Sequence, residues 1–251
     1  MEKRRSWLSR GVTGAILNAA GIVIGGLIGL AWRTPLAPQT QAFFKLAIGL
    51  LTMFFGLRLA WSGLSGDVLH VFKQIGIALL AIVVGNLLGQ LLGFQRTSNR
   101  LGQYARQLME SARPGEPQRF HYGLTACSIL FCAAPLGWIG AVTDGLVDDY
   151  HPLAVKALMD GLAMMGFVTM FGWGATLAAL PVFLLQGTIT LACDVWAGPW
   201  LRELGLVQSV SLVAGLIICA VGLVIFEIRR VELADFLPAL AVAPLLTWWW
   251  R

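Results

Sequence analysis

Apolar stretches of 18 or more residues recur along the whole chain, and most of its few charges lie between them. A hydrocarbon core about 30 Å thick needs about 20 apolar residues to cross it as a helix. Each stretch is therefore a candidate span, and the fold class follows: an all-α, polytopic integral membrane helix bundle. Composition agrees. The chain is 57% hydrophobic and 12% charged, whereas soluble domains average about 25% charged. The longest polar stretch, 95–120, is too short to form a core of its own. The 251 residues thus form a single membrane domain.

The spacing predicts about eight spans, at 11–32, 42–64, 70–94, 121–146, 153–178, 180–200, 207–228 and 234–250. Tryptophans near their ends (Trp7, Trp32, Trp61, Trp196, Trp200 and Trp248 to Trp250) fit the preference of indole for headgroup level. Pro181 is the expected break between the fifth and sixth spans; a single kinked helix there would give seven. The first and sixth spans share a pattern, Gly14-Ala15-Ile16-Leu17-Asn18-Ala19 against Gly187-Thr188-Ile189-Thr190-Leu191-Ala192. The next spans share another, Gly49-Leu50 and Gly56-Leu57 against Gly215-Leu216 and Gly222-Leu223. This divides the chain into one three-helix repeat at 11–94, a central helix pair at 121–178 and a second repeat at 180–250. Two helices between the repeats make them inverted; one would make them parallel.

The net charge of +5 points to anionic membrane lipids as partners and not to nucleic acid, because the basic residues sit between the spans. Under eight spans Lys and Arg tie at nine on each side: Lys3, Arg4, Arg5, Arg10, Arg58, Lys73, Lys156, Arg202 and Arg251 against Arg33, Lys45, Arg96, Arg100, Arg106, Arg113, Arg119, Arg229 and Arg230. The five arginines of 95–120 favour a cytoplasmic position for that loop, against the basic N-terminus. Leu101, Tyr104, Leu108 and Met109 fall at helical spacing and predict a short amphipathic helix on the membrane surface. The basic start reads as preceding a retained first span, not as a cleaved signal.

Polar groups inside spans are expensive and need a reason. Asp160 lies inside the fifth span with Lys156 one turn earlier, so the two form either a self-neutralising pair or a carboxylate lining a pathway. Asp144-Gly145-Leu146 and Asp160-Gly161-Leu162 flank one turn, with Asp148, Asp149 and His151 between them. Asp148 and Asp149 read as an ordinary solvated or capping turn. Asn18, and Gln186, Thr188, Thr190 and Asp194, are the polar groups of the matched first and sixth spans, where amides and hydroxyls beside glycine suit a small polar solute or ion. Pro135 predicts a kink in the fourth span. Glycines at four-residue spacing (21, 25, 29 and 85, 89, 93) form ridges for helix packing within the chain, with homo-oligomerisation as their alternative use.

Cys127, Cys132, Cys193 and Cys219 lie in apolar stretches without metal or redox spacing, and His70, His121 and His151 form no ligand set. No P-loop or catalytic constellation is present, so neither an enzyme nor a bound cofactor or metal is expected.

Gly14 to Asn18, the run 130–132 with Ile139-Gly140-Ala141 and Asp144-Gly145-Leu146, Lys156 with Asp160-Gly161, Pro181-Val182-Phe183, Gln186 to Thr190, Leu237-Pro238-Ala239-Leu240 and Ala243-Pro244-Leu245 together resemble the DUF554 family of bacterial inner-membrane proteins. The chain departs from that pattern by its basic N-terminal extension and by Ala15, where threonine is expected. The resemblance implies a multi-pass protein of the bacterial inner membrane and supplies neither substrate nor site residues. The residues themselves point to a secondary transporter or channel-like protein for a small solute or ion, with Asn18, Asp144, Lys156, Asp160, Gln186, Thr188 and Thr190 as candidate binding residues. The alternative is a non-transporting scaffold or regulator acting through lipid or protein contacts.

Overall fold

The computed structural model describes residues 12–32, 37–112, 118–229 and 231–250. Trp7, Lys3, Arg4, Arg5, Arg10, Arg33, Arg113, Arg230 and Arg251, all used above for boundaries or orientation, lie outside these residues. The described residues contain no strand. Helices α1 (Thr13–Trp32), α2 (Pro38–Ser62) and α3 (Val68–Leu92) come first. The amphipathic α4 (Phe94–Ser111) follows, then α5 (Arg119–Ala133), α6 (Pro135–Val147) and α7 (His151–Phe171). A composite helix covers Trp173–Glu203: a 3-10 segment Trp173–Ala178, α8 (Ala179–Ala192), a π-turn Cys193–Ala197 and the short α9 (Gly198–Glu203). The chain closes with α10 (Val207–Ile225), a 3-10 turn Leu233–Phe236 and α11 (Ala239–Trp249).

Six of these helices, counting Trp173–Glu203 as one, are long and apolar enough to cross a membrane. The α5–α6 pair, bent by 59°, makes seven if it counts as one span. The last apolar segment, Leu233–Trp249, is shorter than the rest. The bend has the cause expected at Pro135: proline has no N–H and excludes helical backbone from the residue before it, and Ala134 is extended at ψ 122°. The break between the fifth and sixth predicted spans does not fall at Pro181. It falls at Gly172, which adopts φ +78°, a left-handed conformation that ends α7 without cost to a side chain. Pro181 sits in the first turn of α8, directly after the 3-10 segment, and the composite helix runs on through it. The surface helix predicted within 95–120 is longer than its apolar spacing suggested, beginning directly at the left-handed Gly93 cap of α3.

Backbone approach at small residues sets the packing. Gly21, Gly25 and Gly29 of α1 lie against Ala157, Gly161 and Met165 of α7, so these two helices run parallel. Gly49 and Gly56 of α2 lie against Phe226, and Cys219 with Gly215, so α2 and α10 run antiparallel. Gly85 and Gly89 of α3 meet Ala239 and Asp235, so α3 and the last segment run antiparallel. The ridges are therefore filled within the chain. Gly93 caps a helix and belongs to no ridge.

Two apolar clusters result. One centres on α10 (Val213, Ile217, Ile218) and gathers α2, α3, α6 and α11. The other centres on Ile22, Met164 and Phe171 and gathers α1, α5, α7 and α8. The windows of α2 and α3 are only 28% buried against 56% for α10, so α10 is interior. The outward residues of α2 and α3, such as Phe54, Leu57, Leu87 and Leu91, are large, apolar and exposed, as lipid-facing positions are.

Candidate functional site

Four polar side chains from three helices converge where α5 gives way to α6. Lys156 Nζ donates to Asp160 Oδ2 at 2.5 Å. Asn18 Nδ2 donates to the same carboxylate oxygen and to Gln186 Oε1, each at 3.1 Å. The group is sealed: Asn18 is 0% exposed, Lys156 1%, Gln186 2% and Asp160 6%. Local sequence explains each position. The i, i+4 spacing stacks Lys156 and Asp160 on one face of α7. The α1 glycines press Asn18 onto that face. Gly137, near the start of α6, has no side chain to block the pair; a methyl there would stand 2.8 Å from Lys156 Cε and 3.0 Å from Gln186 Nε2. The Phe131 ring lies 5.7 Å from Lys156 Nζ, within cation–π range.

The tetrad is over-committed on one side and under-committed on the other. Asn18 Oδ1 and Gln186 Nε2 are buried without a hydrogen-bond partner. Such atoms cost roughly 1–3 kcal/mol each when nothing meets them, so the arrangement suits a further polar occupant better than a finished core. Three or more His, Cys, Asp or Glu side chains nowhere gather around a metal-sized centre among the described residues.

The other candidate residues are distributed differently. Asp144 is buried, but it accepts from Gly14 N–H at 3.0 Å and fastens the start of α1 to α6. Thr190 Oγ1 donates to Ala141 O at 3.1 Å, pinning α8 to α6. Thr188 is exposed on α8 and joins nothing in the tetrad, because two residues along a helix turn the side chain about 200° from the Gln186 direction. Asp194 pairs with Arg202 at 2.8 Å on the surface.

The turn before α7 holds both roles expected of it: Asp149 Oδ1 accepts the N–H of His151, the first residue of α7, at 3.1 Å. Asp148 is indeed exposed, ending α6 with φ 58°. Asp149 is buried and takes Arg58 Nη2 and His151 Nδ1, both at 2.6 Å. Sequence reading missed this triad because Arg58 lies 91 positions away. Arg58 stands four residues before the end of α2 and so reaches the membrane surface where α7 begins, which was the available signal.

A groove of about 860 Å³ lies elsewhere, between α4, α6, the π-turn with α9, and α11. Its wall is predominantly apolar and includes Leu101, Trp138, Trp200 and Leu245.

Comparison with known proteins gives the chain its relatives. It is 25% identical to the uncharacterized membrane protein YdfK of Bacillus subtilis (strain 168), over 93% of this chain and 94% of that one. It is 26% identical to the uncharacterized protein YqgA of Escherichia coli (strain K12), over 95% and 97%. No solved structure matches. The model of the family DUF554, a protein family of unknown function, matches residues 13–248, and the chain belongs to that family.

Proposed function

We propose that the protein is a secondary transporter or channel-like carrier of a small solute or ion across the bacterial inner membrane, with Asn18, Lys156, Asp160 and Gln186 as its binding centre. The observation that carries the reading is a buried charged pair, with two unpartnered amide atoms beside it, at the break of a bent helix pair. Bilayer-depth charges and discontinuous helices are how carriers expose binding groups without a water-filled core.

The reading includes eight spans and inverted repeats. Leu233–Trp249 starts beside Gly89 and ends where Thr247 and Trp250 share a cavity wall with His70, Lys73 and Gln74, so it runs beside most of α3. The α2–α10 crossing has an exchange property. Gly56 meets Gly215, and Gly49 and Gly222 lie near one another. Matching Gly49 to Gly215 and Gly56 to Gly222 carries one contact into the other. A two-fold axis perpendicular to two antiparallel helices has this effect, and such an axis in the membrane plane relates inverted repeats.

Purified protein in liposomes should accumulate solute, and net uptake should collapse in Asp160→Asn. Robust uptake unchanged by that substitution would remove the tetrad from the mechanism. A second reading, a regulator working through lipid contacts, draws on the apolar groove; a specific lipid retained through purification, with no flux of any solute, would favour it.

A further inference from the structure

We propose that the tetrad binds a small monovalent anion together with a proton, so that the two cross the membrane as a neutral pair. This rests on the carrier reading above and names its substrate class.

Hydrogen bonding fixes which atoms remain for a ligand. Asp160 Oδ2 accepts from both Lys156 and Asn18, so the Asn18 amide must turn its nitrogen towards the carboxylate. Its second N–H then goes to Gln186 Oε1. Gln186 is thereby held with its nitrogen outward, and Nε2, buried and unpartnered, faces Gly137 in the first turn of α6. The spare group on the α6 side is a donor.

The helix break is asymmetric in the same sense. On the α5 side, the Cys132 carbonyl is occupied, accepting from Trp138 Nε1 at 2.9 Å. On the α6 side, the 13-residue helix begins with Pro135 and carries no side-chain cap. A helix N-terminus bears partial positive charge and unpaired N–H groups. Pro135 has no N–H and the Gly137 N–H is bonded to Ala134 O at 2.9 Å, so the α6 start lends partial positive charge while Gln186 Nε2 and the Lys156 ammonium supply the donors beside Gly137. Asn18 Oδ1 is the spare acceptor.

Charge balance supplies the proton. Lys156 of α7 and Cys132 of α5 are the titratable side chains that face Asp160; α1 and α8 present the amides of Asn18 and Gln186, and α6 presents glycine. In the structure the ammonium and carboxylate sum to zero. A proton added to the Asp160 carboxylate makes a neutral acid and leaves the ammonium without its counter-ion. An anion then contacts Lys156 Nζ, and the sum is zero again. Release of both restores the ion pair, with no bond other than O–H made or broken. An anion entering without the proton would leave one net negative charge at bilayer depth, where a lone charge costs at least ~2.5–3.5 kcal/mol.

The test uses the full chain in liposomes loaded with a pH-sensitive dye, with inward gradients of chloride, nitrate or pyruvate as salts of an impermeant cation. At least one anion should acidify the interior faster than in protein-free liposomes. Asp160→Asn, which resembles the protonated acid, should lose acidification yet retain anion-for-anion exchange. Gln186→Met, which keeps both charges, should raise the half-saturating anion concentration about tenfold, the loss of one hydrogen bond to a charged group. Alkalinisation driven by inward Na⁺ or K⁺ and abolished in Asp160→Asn would overturn the anion assignment and leave the carrier reading standing. Absence of proton movement with every anion, from protein that elutes as a single species, would overturn the anion–proton assignment, and absence of any solute uptake besides would overturn the carrier reading too.

Discussion

Arg58 reaches from α2 to Asp149, its Nη2 2.6 Å from the carboxylate, and so ties the α10-centred cluster to the turn from which α7 departs. The guanidinium side chain is 44% exposed and the carboxylate 9%. Half-exposed pairs gain little by themselves. Removing Arg58, however, leaves a nearly buried carboxylate with only His151 beside it. Arg58→Ala is expected to destabilise by about 1–2 kcal/mol, and Asp149→Asn to recover part of the loss in the Arg58→Ala background. Thermal unfolding of the four proteins in one detergent gives the coupling.

Lys156 and Asp160 should behave as a unit. Either Lys156→Met or Asp160→Leu alone leaves an uncompensated buried charge and is expected to cost about 3–5 kcal/mol. The double variant should be closer to wild type than either single one, because the two buried charges are removed together and neither is left unpaired. Additive losses in chemical denaturation would show that the pair is not closed as described.

Gly25 and Gly161 let the backbones of α1 and α7 touch, and a Cβ on Gly25 would overlap the Gly161 backbone. Gly25→Ala is expected to cost roughly 1–3 kcal/mol, the range for overpacking a rigid contact. Gly76, where an added Cβ meets nothing, is the control: Gly76→Ala should be neutral or slightly stabilising. Melting temperatures of the two variants provide the comparison.

Glu227 ends α10 at φ 58°, with its N–H bonded to Val224 O and that of Ile228 to Leu223 O. This is a left-handed helix end built on a residue with a side chain. The neighbouring Lys45 ammonium holds its carboxyl below the ordinary range. The pair is surface-exposed, so the backbone term dominates. Glu227→Gly should raise the melting temperature at neutral pH.

Sidedness is decided by Gln103 on α4 and Asp67 before α3, both exposed and separated by the length of α3. In a cysteine-free background, Asp67→Cys should react with an impermeant maleimide in intact spheroplasts and Gln103→Cys only after lysis. The reverse pattern would overturn the cytoplasmic assignment of α4.

Most of this architecture was legible because the bilayer simplifies the code. Length and apolarity locate helices, and Lys156 and Asp160 announce their pairing by spacing alone. The convergence of Asn18 and Gln186 on that pair was readable only as shared polarity at depth. Thr188 stands outside the tetrad for a local reason: it belongs to the matched hexapeptide, yet a shared sequence pattern does not fix which helical face turns inward. The break at Gly172 lost to Pro181 in the reading because proline signals a break from sequence, whereas a glycine's left-handed φ does not. Asp149 was read as a solvated or capping residue, and it does cap α7 through the His151 N–H; its remote partner Arg58 is fixed by tertiary packing and not by neighbours in the chain.

The apolar groove beside Trp138 has a practical corollary. Its wall is lined largely by hydrocarbon and bordered by the α6 residues that follow the helix break. Such a wall packs more favourably against an acyl chain or a detergent tail than against water. Detergent tail length is therefore a variable to control: assays in short- and long-chain detergents are expected to differ wherever tails of different length support the border of the groove at Ala133 and Trp138 differently.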